Sequence, residues 1–109
     1  MASFKRKEQL IQEAASGNDA YLKWVYDRFY MHYKAESHTQ NNKSYDDCRF
    51  IEFLYTKNHK GKSFKAICDK YLFTSVSTLE ARRKEYVSIF YFYLENEKAI
   101  FDAAFASNL

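Results

Sequence analysis

The chain of 109 residues has no proline, two glycines (Gly17 and Gly61) and two cysteines (Cys48 and Cys68). Sandwiches and barrels turn often and draw on Gly and Pro to do so; this scarcity argues against an all-β fold and leaves helices joined by polar connections. Neither cysteine belongs to a CxxC motif or lies near a histidine, and both fall among apolar residues of expected helices, so they read as reduced, buried thiols. His32, His38 and His59 share no ligand spacing, and no metal or cofactor is expected. A Gly-rich phosphate loop, a nucleophile elbow and a His-Glu metal pair are all lacking, which argues against an enzyme; Asp46-Asp47 reads as charge at a helix start. The longest apolar run, Ile89 to Leu94, falls far short of the roughly 20 residues that cross a bilayer. Phe4-Lys5-Arg6-Lys7-Glu8 opens a polar amphipathic segment in place of a signal peptide, so the expected location is the cytoplasm, without a membrane partner.

What is present is aromatic. Tyr and Phe number 10 each, giving one small domain over 1–109 much apolar area per buried side chain. Apolar spacing predicts an all-α fold. Leu10, Ile11 and Ala14 mark a first helix from Phe4 to Ala15, stopped at Ser16-Gly17-Asn18. Leu22, Val25, Phe29 and Tyr33 mark a second from Ala20 to Ala35, capped by Asn18 or Asp19 and edged by Trp24. These form an N-terminal helical hairpin over 1–35. Residues 36–44 hold no apolar side chain and read as a hinge loop. A third helix follows from Tyr45 or Asp46 to Asn58, burying Phe50, Ile51, Leu54 and Tyr55. A fourth runs from Phe64 to Leu72, burying Phe64, Ile67, Cys68 and Tyr71.

Ser63 can cap that fourth helix after Gly61, whose lack of a Cβ allows positive φ. Ser77 and Glu80 stand at capping-box spacing, which starts a fifth helix at Thr78. Leu79, Tyr86, Phe90 and Tyr93 continue one face of it, so the β-prone stretch Tyr86 to Leu94 is expected to be helical, with a break near Asn96. Two capped helices across a short polar turn have the pattern of a helix-turn-helix unit, here 46–94, followed by a C-terminal helical extension over 95–109.

Charge converges on the same segment. Basic and acidic residues balance at 8 each through Thr56, stand at 8 against 2 from Lys57 to Lys84, and at 1 against 4 thereafter. A localised basic patch neutralises phosphates and releases counterions, so double-stranded DNA is the expected partner. Thr74, Ser75, Ser77 and Thr78 would approach DNA end-on, with Thr78 and Lys84 at base edges; Arg82, Arg83, Lys62 and Lys65 would hold phosphates. The rival expectation is a protein-interaction module that binds a host protein through C-terminal aromatics and keeps the two-helix pattern as scaffold. Ile100, Phe101, Ala104 and Phe105 form one more stripe. It either builds a homodimer interface through Ile100, Phe101 and Phe105 or folds back over the N-terminal hairpin.

The run Gly61-Lys62-Ser63-Phe64-Lys65-Ala66-Ile67-Cys68, then Tyr71-Leu72-Phe73, Ser77-Thr78-Leu79 and Arg82-Arg83-Lys84, resembles region 4 of bacterial sigma factors. More closely it resembles phage transcriptional regulators of the ArpU and RinA type, over about Asp46 to Leu94. The resemblance implies a helix-turn-helix fold, DNA binding near promoters and activation of late phage genes; RNA polymerase or another host protein is a further expected partner. Cys68 departs from the family's alanine, Leu72 stands where glycine is common, and Phe73 to Ser77 makes a longer turn.

Overall fold

The computed structural model of the chain describes residues 3–36, 42–57 and 61–106. Among these there are helices and no strands, so the fold is all-α. The helices are α1 (Phe4–Ser16), α2 (Ala20–Glu36), α3 (Asn42–Thr56), α4 (Phe64–Ala66, continued by a π-helical segment Ile67–Leu72), α5 (Val76–Asn96) and α6 (Lys98–Ala106). The β-prone Tyr86–Leu94 stretch is helical, and the chain breaks between Asn96 and Lys98 as its pattern predicts.

Local chemistry sets the ends. Ser3 Oγ accepts from the Arg6 N–H at the start of α1, and Gly17, at φ 81°, closes that helix in a left-handed conformation open to glycine at no steric cost. Asp19 Oδ1 accepts from the Leu22 N–H at 2.9 Å and thereby starts α2. Ser63 Oγ accepts from the Ala66 N–H at 3.1 Å, after Gly61 at φ 82°.

α2 packs against α1, α3, α5 and α6. Its Val25, Phe29 and Tyr33 are buried, and Phe29 meets Tyr86 and Phe90 of α5 edge-on at 6.4 and 5.6 Å between ring centres. One continuous core joins these to Ile11 and Ala14 of α1, to Phe50, Ile51, Leu54 and Tyr55 of α3, and to Ile67, Cys68 and Leu72. α6 folds onto α2, where Phe101 sits 5.1 Å from the Tyr21 ring and 5.8 Å from that of Trp24. No helix among the described residues is long and apolar enough to cross a membrane.

Four sequence expectations need correction. α3 begins at Asn42, three residues or more before the expected start, so Asn42 to Ser44 are helical; residues 37–41 of the expected loop lie outside the described residues, and Glu36 ends α2. Asp47 is therefore inside α3 and buried, not charge at its first turn. α5 begins at Val76 and is capped by Ser75, whose Oγ accepts from the Thr78 N–H at 3.1 Å, so the Ser77–Glu80 box is not the cap. Tyr71 is exposed, and Leu72 is buried in its stead. The π winding explains that exchange: with i→i+5 hydrogen bonds the residue five after Ile67, not four, returns beneath it.

Candidate nucleic-acid interface

The connection from α4 to α5 is three residues long. Phe73 takes φ 53° and ψ 48°, which lets its N–H and that of Thr74 both reach the Cys68 carbonyl, the latter at 3.2 Å. A left-handed conformation costs a residue with a Cβ on the order of 1 kcal/mol. Thr74 is half-buried, and Ser75 follows in extended conformation as the α5 cap. Ser75 Oγ also donates to Thr78 Oγ1 at 2.7 Å and lies 3.3 Å from Ser77 Oγ, so the Thr74, Ser75, Ser77 and Thr78 group lies together at the head of α5.

The basic cluster on α5 divides. Arg82 and Arg83 fall in phase with buried Leu79 and Tyr86 and turn towards the neighbouring helices. Arg82 donates through Nε and a terminal nitrogen to the two oxygens of Asp47, at 2.8 Å each, and also reaches Glu85. Its side chain is 15% exposed and that of Asp47 3%. The Tyr86 hydroxyl donates to the same Asp47 carboxylate, and the Tyr33 hydroxyl to Glu85 at 3.0 Å, so the network spans α2, α3 and α5. Burial works against the charged guanidinium, yet the hydrogen bonds and charges of Asp47 and Glu85 hold Arg82 above its ordinary pKa.

Arg83 makes the second anchor. Its hydrogen bonds to Glu8, through Nε at 3.0 Å and a terminal nitrogen, raise its pKa. Phe4 of α1 and Phe64 of α4 lie 5.3 and 5.0 Å from its guanidinium as cation–π partners. The Tyr55 hydroxyl of α3 donates to Glu8 at 2.8 Å. Thus one arginine ties α5 to α1, α3 and α4. Sequence pattern assigns Glu8 and Phe4 no role at this site and reads Asp47 as helix-start charge, although Asp47 repeats the phase of Phe50, Ile51 and Leu54, a signal that a buried counter-charge is needed.

With those anchors set, 100° per residue carries Ser77, Ala81, Lys84 and Ser88 to the side of α5 opposite Leu79, and all four are exposed. Lys84 borders a depression of about 210 Å³ with Phe4, Glu80 and Arg83. Lys62 and Lys65 are exposed at the start of α4, as is Lys70 further on; among the described residues none of these or Lys84 has a carboxylate partner. Lys62 Nζ lies 5.6 Å from the centre of the Tyr71 ring.

Of the residues expected at a dimer interface, Phe101 is buried against α2, whereas Ile100 and Phe105 are 53% and 51% exposed. Both cysteines are free thiols, Cys68 buried and Cys48 partly so. A depression of about 450 Å³ along α2 includes Lys23, Asp27, Tyr30 and Glu52. Those polar groups already pair, Lys23 with Asp27 at 2.8 Å and Tyr30 with Glu52 at 2.9 Å. No family model, curated protein or solved structure matches the chain.

Proposed function

We propose that this chain is a DNA-binding transcriptional regulator of the ArpU and RinA type, which reads duplex DNA with α5. The observation that carries the reading is the outward side of α5. Ser77, Ala81 and Ser88 keep it low while Lys84 stands in its middle, and Lys62, ahead of α4, and Lys65, within it, are exposed without a carboxylate partner among the described residues. A helix bearing short side chains enters a groove about 12 Å wide without a steric barrier, and a lysine there reaches base edges. Lys62 and Lys65 supply phosphate contacts that fix register. Arg82 and Arg83 serve as positioning residues, since their charge is matched by Asp47 and Glu8; they hold the angle at which α5 meets the groove. Fluorescence anisotropy of a labelled random duplex tests the reading. Binding should weaken steeply as salt rises, and an affinity that is negligible at low salt contradicts it.

The C-terminal end favours a second reading, a protein contact with RNA polymerase or with a second copy of the chain. Phe92, Ile100 and Phe105 are 58%, 53% and 51% exposed there. Light scattering on the parent and on Ile100→Asp/Phe105→Asp tests self-association. A parent that is monomeric at high micromolar concentration rules out the second copy.

A further inference from the structure

Among the described residues Phe73 alone joins two unfavourable features. It is the non-glycine residue with positive φ, and its ring is 75% exposed. The fold uses only its backbone: the left-handed turn brings two N–H groups to the Cys68 carbonyl, and glycine would do this without a Cβ. The ring makes no aromatic or cation contact with the described residues. A strained backbone that displays an apolar ring to water at the edge of a candidate interface asks for a ligand.

The surroundings state what ligand. Two residues back, Tyr71 is 42% exposed with Lys62 over its ring, and Lys65 and Lys70 are exposed on the same helix. Ahead lie Ser75 and Ser77 at the head of α5. Aromatic rings among lysines that have no carboxylate partner among the described residues complement a polyanion that itself carries aromatic rings, and a nucleic acid meets both conditions. We infer that Phe73 stacks on a nucleobase of the DNA that the lysines hold, an inference that rests on the DNA-binding reading above. Bases in an intact duplex have both faces covered by their neighbours. The ring therefore finds a free face at an unpaired or locally opened base, and the contact favours DNA that is distorted beside the site.

Two duplexes of one sequence provide the test, one intact and one carrying a single unpaired 2-aminopurine. The parent, Phe73→Gly and Phe73→Trp are compared by anisotropy, 2-aminopurine fluorescence and thermal denaturation. The parent should bind the duplex with the unpaired base on the order of ten-fold more tightly than the intact one and quench its fluorescence. Phe73→Trp keeps that preference. Phe73→Gly loses it while retaining salt-dependent binding to the intact duplex and an equal or higher Tm, because glycine accepts the left-handed turn. A parent that binds both duplexes equally overturns the stacking role and leaves the DNA-binding reading standing, whereas a parent that binds neither overturns both. A Phe73→Gly protein that keeps the preference, or whose Tm drops by several degrees, assigns the ring no stacking role and overturns the inference as well.

Discussion

Asp47 on α3 receives both arms of Arg82 on α5, each at 2.8 Å, with the Tyr86 hydroxyl on the same carboxylate. Removing one partner of such a buried pair strands the other charge. Arg82→Ala should destabilise the fold by about 3–5 kcal/mol, far more than a surface arginine would. Arg82→Lys retains the charge but not the two-pronged geometry, and belongs between the two. Urea denaturation measures both; an Arg82→Ala midpoint equal to the parent's would place the guanidinium in solvent.

The start of α5 separates two serines. Ser75→Ala removes the oxygen that receives the Thr78 N–H and should cost about 1 kcal/mol. Ser77→Ala, one residue into the helix, should stay within about 0.5 kcal/mol of the parent. Equal losses, or a larger loss at Ser77, would restore the later helix start.

Phe101 holds α6 to α2. Phe101→Ala opens a cavity beside Tyr21 and Trp24 and should destabilise by about 3 kcal/mol or more. Among the described residues Phe105 has one ring contact, 4.3 Å from the Phe101 ring centre, and is half exposed, so Phe105→Ala should cost about 1 kcal/mol. Ile100→Ala should be close to neutral. Denaturant midpoints order the three; a neutral Phe101→Ala would mean that α6 does not rest on α2.

Alkaline pH probes the buried hydroxyls. Burial, then the neighbouring carboxylates, push Tyr33, Tyr55 and Tyr86 above the ordinary tyrosine value of 10.0. A folded-state pKa above the unfolded one gives stability that is complete below the unfolded value and lost as pH rises towards the folded value. Stability should therefore hold to about pH 10 and then fall by up to about 1.4 kcal/mol per pH unit for each of these tyrosines. The phenolate absorbance of these three should appear together with unfolding. Ordinary titration of all the tyrosines in a still-folded chain would contradict the burial.

Helix identity was legible wherever apolar side chains kept a 3.6-residue period, as in Leu22, Val25, Phe29 and Tyr33 or in Leu79, Tyr86 and Phe90. Two kinds of feature were not. Ser75 and Ser77 are chemically equal candidates for one cap, and the choice depends on where the preceding turn ends, which the left-handed Phe73 decides. Tyr71 and Leu72 exchanged places because sequence carries no mark of a π turn. At the candidate interface, Lys62, Lys65 and Lys84 are exposed as their polarity suggests, but Arg82 and Arg83 are not. Their inward turn could have been suspected from phase alone, since both share the stripe of Leu79 and Tyr86.

The lysines offer the most direct measurement. We would compare the salt dependence of duplex binding for the parent, for Lys62→Ala/Lys65→Ala/Lys84→Ala and for Lys5→Ala/Lys23→Ala/Lys98→Ala, which removes equal charge elsewhere on the surface. If α5 and the head of α4 face the phosphates, the first triple variant should flatten the log–log slope by about 0.9 for each lost contact, with its Tm unchanged. The second should keep a slope near the parent's. Equal slopes for the parent and the first variant, or an equal drop in both variants, would contradict the placement of DNA on this surface.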